Sequence, residues 1–417
     1  MTIKTYYMNI SLNLNRATFL VFTLVAALLF SCNKDVQQFA EPALPTAPVG
    51  MALGETIAAR PTDSLYYRLV TKAGLLPVIN NKAATFTMYV PDNNAMKLFI
   101  NAISAGAVPL AAPDAVFSGF ISANIPVASA VGIVSYNISG QALSSANIPA
   151  TFPNLQYPTI LNPAPSLSAL LRLTTFPSTR NGAWLNNVPF TSVDLNAANG
   201  VIHHTAVVVA PPQRYLWNRI DTDGGLTYLK AAINRADSGT AAPGTLQGAL
   251  LNIGANLTVF APTDDAFKVT LTGAIAKGLI GMGVPPATAM AQAAYLASSP
   301  NVFSNPALYG VLTAQTVKGI IVYHIFGNRA FTNNFPTTTT YYPTLLNGAF
   351  ASHPGVGLTA VFGMPFVTSA TIKGVGNASA ANIIINSSPL KPDPSGTSDQ
   401  HYLNGVLHKI DQVLLPQ

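Results

Sequence analysis

The alternation of apolar and polar residues predicts two segments that each open with an amphipathic helix. After Asp63-Ser64, apolar residues recur at the three- and four-residue spacing of one helix face, and Gly74 ends the pattern. These apolar positions are Leu65, Tyr66, Leu69, Val70 and Ala73. A similar spacing returns in residues 226–233, which indicates a second segment that begins in the same way.

Each segment also closes with the same short stretch. Residues 199–212 and 404–416 both begin with Asn-Gly, continue as a β-branched and apolar run, and end at proline. They align without a gap, 205 positions apart. Asn-Gly favours a turn, and proline cannot donate a hydrogen bond to a neighbouring strand. The same pattern of a turn, a closing strand and a terminating proline occurs twice. This repetition predicts a duplicated domain.

Three further blocks repeat in the same order. Residues 86–96 match 257–267 at an offset of 171, residues 132–138 match 319–325 at 187, and residues 157–162 match 342–347 at 185. The increase from 171 to 187 places about sixteen extra residues in the second copy, after Phe267 and before Gly319. The second copy therefore carries an insertion, which we assign to about residues 273–304.

These blocks resemble the conserved boxes of the fasciclin family, also called FAS1 domains. Residues 258–267 (TVFAPTDDAF) are similar to its first box, Tyr323-His324 to its Tyr-His pair, and residues 404–416 to its closing box. The first copy is more divergent, with Asn137 where the Tyr-His histidine would stand. The resemblance implies an α+β fold of two tandem fasciclin-like domains, each a β-sheet wedge flanked by several helices.

The N-terminus is typical of an exported lipoprotein. Residues 1–31 are interpreted as a signal peptide, because residues 17–30 form an apolar run of 14, short for a membrane span. Residues 29–32 (LFSC) resemble a bacterial lipobox, so Cys32 is the predicted site of lipid attachment. The lipid would anchor the protein to the bacterial cell envelope, with the outer membrane favoured and its surface or periplasmic face left open. The alternative is an ordinary secretory signal with an incidental cysteine.

The rest of the chain divides into a tether and two domains. Residues 32–58 are rich in proline and lack periodicity, as expected of a tether. Residues 59–212 and 213–417 are the predicted domains. The connection at residues 210–215 is short and contains two prolines, which predicts two domains that pack closely together.

Charge and cysteine content exclude several classes of function. Removing the signal takes away Lys4 and Arg16, so the chain keeps 19 basic and 15 acidic side chains. The basic residues form no cluster, so we expect no nucleic-acid partner. Cys32 is the only cysteine. If it carries lipid, the chain has no disulfide, no thiol nucleophile and no cysteine-ligated metal.

The sequence offers no catalytic constellation. No zinc-binding HExxH, GxSxG serine or glycine-rich phosphate loop is present, so we expect no enzyme activity, cofactor or metal. Asp264-Asp265 could be a metal or acid-base pair. The favoured interpretation is structural, with Asp264 capping the following helix and Asp265 complementing its dipole.

The histidines are interpreted as structural. His203 and His408 each share a strand face with apolar residues. His203 and His204 are adjacent and point to opposite faces, so they cannot chelate one metal together. His324 lies in the apolar run 320–326, which predicts a buried strand.

The insertion carries a set of large apolar residues with two interpretations. Its proline and alanine content predicts a helix. The set could bind a partner, but extra core is favoured. Its members are Met282, Met290, Tyr295 and Leu296.

Binding functions remain. The favoured hypothesis is an envelope-anchored adhesion or interaction protein whose fasciclin-like domains bind a protein or an extracellular glycan. The alternative is a glycan- or nutrient-capture lipoprotein that works with an outer-membrane transporter, with Trp184 or Tyr341-Tyr342 stacking on sugars.

In animal relatives of the family the Tyr-His region has been linked to receptor binding, so Tyr323 and His324 are a possible binding motif. The other interpretation is that they pack the strand. We expect the ligand-contacting surface mainly in loops of the second domain.

Overall fold

Each half of the chain builds its own β-sheet around the repeated blocks. The computed structural model describes residues 48–363, 365–391 and 396–417, and residues 48–417 form one compact unit. We call residues 48–212 the first half and residues 213–417 the second half. The signal peptide, Cys32 and residues 32–47 of the tether lie outside the described residues. Both halves mix helices with sheets, so the predicted α+β class is confirmed.

The helices of the two halves follow each other in a similar order. The first half contains α1 (Leu53–Ala58), α2 (Ser64–Ala73), α3 (Leu76–Ile79), α4 (Asn93–Ile103), α5 (Asp114–Asn124) and α6 (Val127–Tyr136). The second half contains α7 (Leu216–Thr222), α8 (Thr227–Ala236), α9 (Leu246–Leu251), α10 (Asp264–Gly281), α11 (Pro286–Leu296) and α12 (Ala314–Tyr323). Short 3₁₀ helices include Ser145–Asn147, Pro300–Ser304, Pro306–Leu308 and Thr332–Asn334. Among the described residues no single helix could cross a bilayer; α5 and α6 have the length and composition only as a pair bent by 111°.

The strands fall into one main sheet per half. The first half contains β1 (Phe86–Pro91), β2 (Ile138–Ser139), β3 (Tyr157–Pro158), β4 (Thr174–Thr175), β5 (Pro177–Ser178), β6 (Trp184–Leu185), β7 (Val188–Ala197) and β8 (Gly200–Thr205). The second half contains β9 (Leu257–Pro262), β10 (Ile325–Phe326), β11 (Thr340–Tyr342), β12 (Val356–Gly363), β13 (Phe366–Lys373), β14 (Ala381–Ile383), β15 (Gln400–Tyr402) and β16 (Gly405–Ile410). The sheet orders are β2-β1-β8-β7-β6-β5 and β10-β9-β16-β14-β13-β12-β11, with β15 beside β16 and a separate β3-β4 pair.

A parallel pair of strands lies inside each sheet, second and third from one edge. β1 runs parallel to β8 with Phe86 opposite Gly200, and β9 runs parallel to β16 with Leu257 opposite Gly405. All residues of β1 and β9 are buried, as expected for strands covered on both faces. A Cβ at position 200 would lie 1.9 Å from the carbonyl oxygen of Phe86, so glycine is required for this approach. The predicted closing strands are therefore the ones that pair with the first boxes.

The asparagine before each closing strand holds the first helix of its half. Asn199 Oδ1 accepts from the Leu53 N–H at 2.9 Å, and Asn404 Oδ1 accepts from the Leu216 N–H at 3.0 Å. Helix α1 buries Leu53 and Ile57, so the prediction that the tether extends to residue 58 is wrong at its C-terminal end. A six-residue helix is too short to show a periodic pattern in sequence.

The Tyr-His region is a helix, which corrects the predicted strand over residues 320–326. Residues up to Tyr323 belong to α12, His324 is its C-cap, and only Ile325–Phe326 form a strand. Thr313 caps the helix at its start, since its Oγ1 accepts from the Thr316 N–H at 3.0 Å. A short run that is apolar at every position fits a buried helix as well as a buried strand.

The insertion packs into the core with its small residues. Ala289 and Ala293 are fully buried, whereas Met282, Met290 and Tyr295 are 71%, 51% and 81% exposed. The interpretation of those three residues as extra core is therefore wrong, because the alanine face of α11 approaches the core instead. Val302 and Phe303, at the end of the insertion, are also buried, so this segment is an integral part of the second half.

The two halves are in direct contact. Asn181 Nδ2 donates to the carbonyls of Asn333 and Phe335 at 3.1 and 2.9 Å. Aromatic rings also meet across the same boundary, and the pairs include Phe152–Tyr342, Phe176–Phe331 and Trp184–Phe366. Close packing of the halves therefore agrees with the short proline-containing connection. The boundary at residues 212 and 213 as a limit of independent folding stays a prediction.

Asn181→Asp should loosen this contact without disturbing either core. The change replaces an amide donor with an anionic acceptor that faces two carbonyl oxygens. We expect the free energy of unfolding in urea to fall by roughly 1–2 kcal/mol, the contribution of two hydrogen bonds. Asn81→Asp is the matched control, because exposed Asn81 uses only its side-chain oxygen, which accepts from the Ala83 N–H. Equal stabilities of the two variants would show that the Asn181 contact contributes nothing.

Candidate binding site

An open groove of ≈ 540 Å³ lies wholly within the second half. It runs between helix α8 and the 3₁₀ helix Pro300–Ser304, at the C-terminal end of the insertion. Uncharged polar side chains that line it are Thr222, Thr227, Asn234, Ser238, Asn301 and Ser304, and the aromatic residues are Phe303 and Tyr309. The groove thus combines hydrogen-bonding groups with aromatic surface on the face that carries the insertion.

The groove is lined by two acidic and two basic side chains. Asp221 and Asp223 are balanced by Lys230 and Arg235. Lys230 Nζ lies 2.8 Å from Asp221 Oδ1, and Lys409 Nζ lies 2.7 Å from Asp223 Oδ2. Although burial acts to raise it, the hydrogen bond from Lys409 and the nearby cations keep the pKa of Asp223 below its usual value. A ligand without net charge suits such a surface.

Tyr309 presents an aromatic ring at the edge of the groove. The residue is 40% exposed, and the Arg235 guanidinium lies 3.7 Å from the centre of its ring. Arg235 is held in turn by the Leu312 carbonyl, which accepts from its Nε at 2.8 Å. This stacking fixes the ring orientation and leaves part of the ring open to solvent.

Asp264 positions the helix that forms one wall of the groove. Its carboxylate accepts from the Tyr228 N–H at 3.1 Å and from the Thr227 hydroxyl at 2.6 Å, at the start of α8. The expectation that Asp264 caps its own helix is therefore wrong. Thr263 is that cap, with its Oγ1 3.3 Å from the Ala266 N–H. Asp264 remains structural, but it acts on the neighbouring helix.

Tyr323 and His324 are buried, so neither side chain forms part of the surface. Tyr323 is 0% and His324 1% exposed. The Tyr323 hydroxyl donates to the Gly355 carbonyl at 2.7 Å and accepts from the Val375 N–H at 3.0 Å. Direct contact of this pair with a partner is incompatible with the observed burial, and the packing interpretation agrees with it.

Both ring nitrogens of His324 are used by the backbone. Nδ1 donates to the Ile320 carbonyl at 2.8 Å, and Nε2 accepts from the Leu414 N–H at 2.8 Å. Only a neutral ring can accept at Nε2, and burial lowers the pKa of His324 to about 4. His324 therefore joins the end of α12 to the segment after β16.

Asn137 makes the equivalent connection in the first half. Its Nδ2 donates to the carbonyls of Ile133 and Val209, both at 2.8 Å. These partners occupy the positions that correspond to Ile320 and Leu414 in the second half. Asparagine in the first copy thus makes the same connection as histidine in the second. Only one hydrogen bond changes direction: Asn137 donates to Val209, whereas His324 accepts from Leu414.

A second histidine network repeats in both sheets. His203 Nε2 contacts the Leu143 carbonyl at 2.8 Å, and its Nδ1 accepts from the Asp194 N–H at 3.2 Å. His408 contacts the Ala330 carbonyl at 2.9 Å and accepts from the Asp399 N–H at 3.1 Å. Burial lowers the pKa of both histidines.

The aspartate of each network caps a 3₁₀ helix. Asp194 accepts from the backbone and hydroxyl of Ser145, and Asp399 accepts from the backbone and hydroxyl of Thr332. Both aspartates have a positive φ, 61° and 54°. His204 lies apart from this network, with Nε2 3.1 Å from Asp63 and Nδ1 2.9 Å from the Ser192 hydroxyl.

The aromatic residues suggested for sugar stacking differ in accessibility. Trp184 is 1% exposed, so its proposed role in stacking is wrong; its ring packs against Phe366. Tyr341 is 44% exposed on β11, while Tyr342 packs edge-on against Phe152. Tyr309, which the sequence analysis did not single out, is the exposed ring that lines the groove.

Within residues 48–363, 365–391 and 396–417, no group of three or more His, Cys, Asp or Glu side chains is arranged to hold a metal ion. Cys32, the predicted lipid attachment site, lies outside the described residues.

Comparison with solved structures gives likenesses that are distant in sequence. A solved structure of a FAS1 domain pair from the insect cell adhesion molecule Fasciclin I is similar at 14% sequence identity and a TM-score of 0.30, covering 84% of this chain and 96% of that chain. Neither a protein-family model nor a curated protein matches the chain. A likeness of this size indicates neither a shared ligand nor a shared site.

The sequence contained only part of the information about this site. The insertion was visible from the offset between repeats, and it forms one side of the groove. The stacking of Arg235 on Tyr309 joins residues 74 positions apart and has no sequence signal. The neutral character of the groove also depends on ion pairs that only the fold brings together.

Acidification should destabilise the protein through its buried histidines. The folded-state pKa of His324 is about 4 against 6.5 in an unfolded chain, so its contribution to stability is present above pH 6.5 and is lost as the pH falls toward 4. This loss amounts to about 3 kcal/mol. His203 and His408 act in the same direction.

His324→Asn tests this assignment. Asparagine can hydrogen-bond here, as Asn137 does in the first half, but it does not titrate. Urea unfolding from pH 8 to pH 4 should show a shallower decline for the variant than for the wild type. An unchanged slope would contradict the role of His324; part of the slope should persist because of His203 and His408.

Proposed function

We propose that the protein is an exported, envelope-anchored adhesion or interaction protein that binds an uncharged glycan through the groove of its second half. The observation that carries the proposal is the composition of this groove. It combines balanced charges, exposed amide and hydroxyl groups, and the partly open ring of Tyr309. Sugars offer hydroxyl groups for hydrogen bonds and C–H faces that pack on aromatic rings.

The placement of the groove supports a binding role in the second half. It lies beside the insertion, which the first half lacks. Lys72, the counterpart of Arg235 by position, donates to the Ile121 carbonyl and stacks on no tyrosine. The predicted lipid on Cys32 precedes the first half, so the second half would be the part of the chain farther from the membrane. Capture of nutrients for an outer-membrane transporter would use the same surface, but no observation favours it over adhesion.

The exposed apolar residues of the insertion provide the competing surface. Met282, Met290 and Tyr295 are exposed and lie outside the groove. A protein partner would use such side chains more readily than a glycan would, because they offer apolar area with few hydrogen-bonding groups.

The variants Tyr309→Ala and Tyr295→Ala distinguish whether the ligand binds in the groove or on the exposed apolar residues of the insertion. Tyr295 is 81% exposed, so its replacement should alter the free energy of unfolding by no more than about 0.5 kcal/mol. Replacement of Tyr309 also removes the stacking on Arg235, which contributes about 0.5–1 kcal/mol at a partly exposed site. The wild type is screened against an array of neutral glycans, and the affinity for any hit is measured by calorimetry. We expect Tyr309→Ala to weaken binding roughly tenfold or more, equivalent to about 1.4 kcal/mol, and Tyr295→Ala to have no effect.

The proposal fails if Tyr295→Ala reduces binding while Tyr309→Ala does not, since the insertion surface would then be the binding site. It also fails if the array gives no hit above an unrelated protein. Asn234→Ala offers an independent check, because it removes an exposed amide from the groove and leaves the ring in place.

A further inference from the structure

A second cavity, of ≈ 240 Å³, lies where the two halves meet. The first half contributes residues from Gln156 to Thr174, among them Arg172. The second half contributes residues 253–256, Arg329 and Leu403. A ligand in this cavity would therefore contact both halves at once.

Arg329 is a buried cation without a carboxylate partner. It is only 4% exposed, and no Asp or Glu of the described chain lies within ion-pair distance of it. Nη2 donates to the Leu403 carbonyl at 2.6 Å and Nη1 donates to His401 Nε2, while the guanidinium lies 5.0 Å from the centre of the Phe176 ring. Nε has no hydrogen bond, so the five N–H donors are incompletely used.

Such burial is unfavourable unless another charge compensates for it. Burial lowers the pKa of Arg329 to about 10, and the opposing influence comes from Tyr136 instead of an acid. His401 supplies an acceptor but no negative charge. Burial and the adjacent guanidinium hold its pKa well below the usual 6.5.

The lining of the cavity adds a second cation and no anion. Arg172 is exposed at its edge, and its Nη1 donates to the carbonyls of Ala169 and Leu171 at 2.8 and 2.7 Å. It has no ion pair within the described residues. Neither Asp nor Glu lines the cavity. The electrostatic field inside therefore favours a negatively charged occupant.

Asn256 adds a hydrogen-bond acceptor to the lining of the same cavity. Its Oδ1 is buried and receives no hydrogen bond from the described residues. A bound molecule or water could donate to it. A ligand that carries both an oxyanion and a hydroxyl group would complement Arg329 and Asn256 together.

We propose that this cavity binds a small hydroxylated oxyanion between the two halves, with Arg329 and Arg172 contacting its charged group and Asn256 accepting from its hydroxyl. The charged group is a carboxylate, sulfate or phosphate, and a sugar acid carries the full set of groups. Because the ligand contacts both halves, it stabilises them in the docked arrangement. This site is separate from the groove and does not depend on the function proposed for the groove.

The test measures binding of sodium glucuronate and sodium sulfate to the purified protein by calorimetry, at ionic strength matched with sodium chloride. Arg172→Gln removes one cation from the exposed edge of the cavity, so it should leave the fold intact. We expect this variant to bind both anions roughly tenfold or more weakly, because it loses a charge-assisted hydrogen bond. Arg68→Gln is the control, because Arg68 is an exposed arginine of α2 that contacts only the Ser122 hydroxyl.

Thermal unfolding provides the second readout. Sulfate also stabilises proteins in general, so the quantity compared is the difference in midpoint shift between Arg172→Gln and Arg68→Gln. Asn256→Ala should weaken glucuronate and leave sulfate unchanged, which distinguishes a hydroxylated ligand from a simple ion. Tyr309→Ala should leave both anions unaffected.

The proposal is overturned if neither anion binds more tightly than chloride. It is also overturned if Arg172→Gln and Arg68→Gln bind the anions with equal affinity. Sulfate binding that Arg172→Gln weakens, combined with an absence of glucuronate binding, would overturn the assignment of a hydroxylated ligand and leave an inorganic oxyanion as the occupant.

Discussion

The pairing of two parallel strands, distant in sequence, is the contact on which each half depends. β1 and β8 are joined across more than a hundred residues, and the same holds for β9 and β16. The remaining strands of a half lie between these two partners in the chain, together with helices α4 to α6 in the first half and α10 to α12 in the second. The entropy cost of ordering these elements must be offset before the parallel pair contributes its burial, so the pair and its surroundings are expected to form cooperatively.

The polar side chains around this pair explain why the repeated blocks contain the residues they do. Each asparagine before the closing strand anchors the first helix, and each histidine within it anchors the loop that precedes the 3₁₀ helix. These side chains satisfy backbone groups that would otherwise be buried without partners, which is costly. Many of the residues that the two halves share are thus residues whose side chains hydrogen-bond to the backbone.

Sequence reasoning was successful where a pattern reflects local geometry. The Asn-Gly starts, the apolar runs and the prolines located both closing strands, and the offset between repeats located the insertion. It was wrong where packing decides between alternatives. The apolar run before Phe326 is a helix that Thr313 caps. The insertion contributes alanines, Val302 and Phe303 to the core, and Met282, Met290 and Tyr295 remain exposed. Arg329 gave no signal, since an arginine without a nearby acid looks like a surface residue until the second half folds around it.

The features that suggest ligands lie where the internal symmetry is broken. Arg329 corresponds by position to Ala142, an exposed residue that carries no charge, although the flanking residues make the same hydrogen bonds in both halves. Arg235 corresponds to Lys72, which stacks on no tyrosine. The repeated hydrogen bonds connect the elements that both halves share, and the side chain of Arg329 takes no part in them. A buried, unpaired guanidinium costs stability, and a sequence that retains it in one copy alone is better explained by a ligand than by folding.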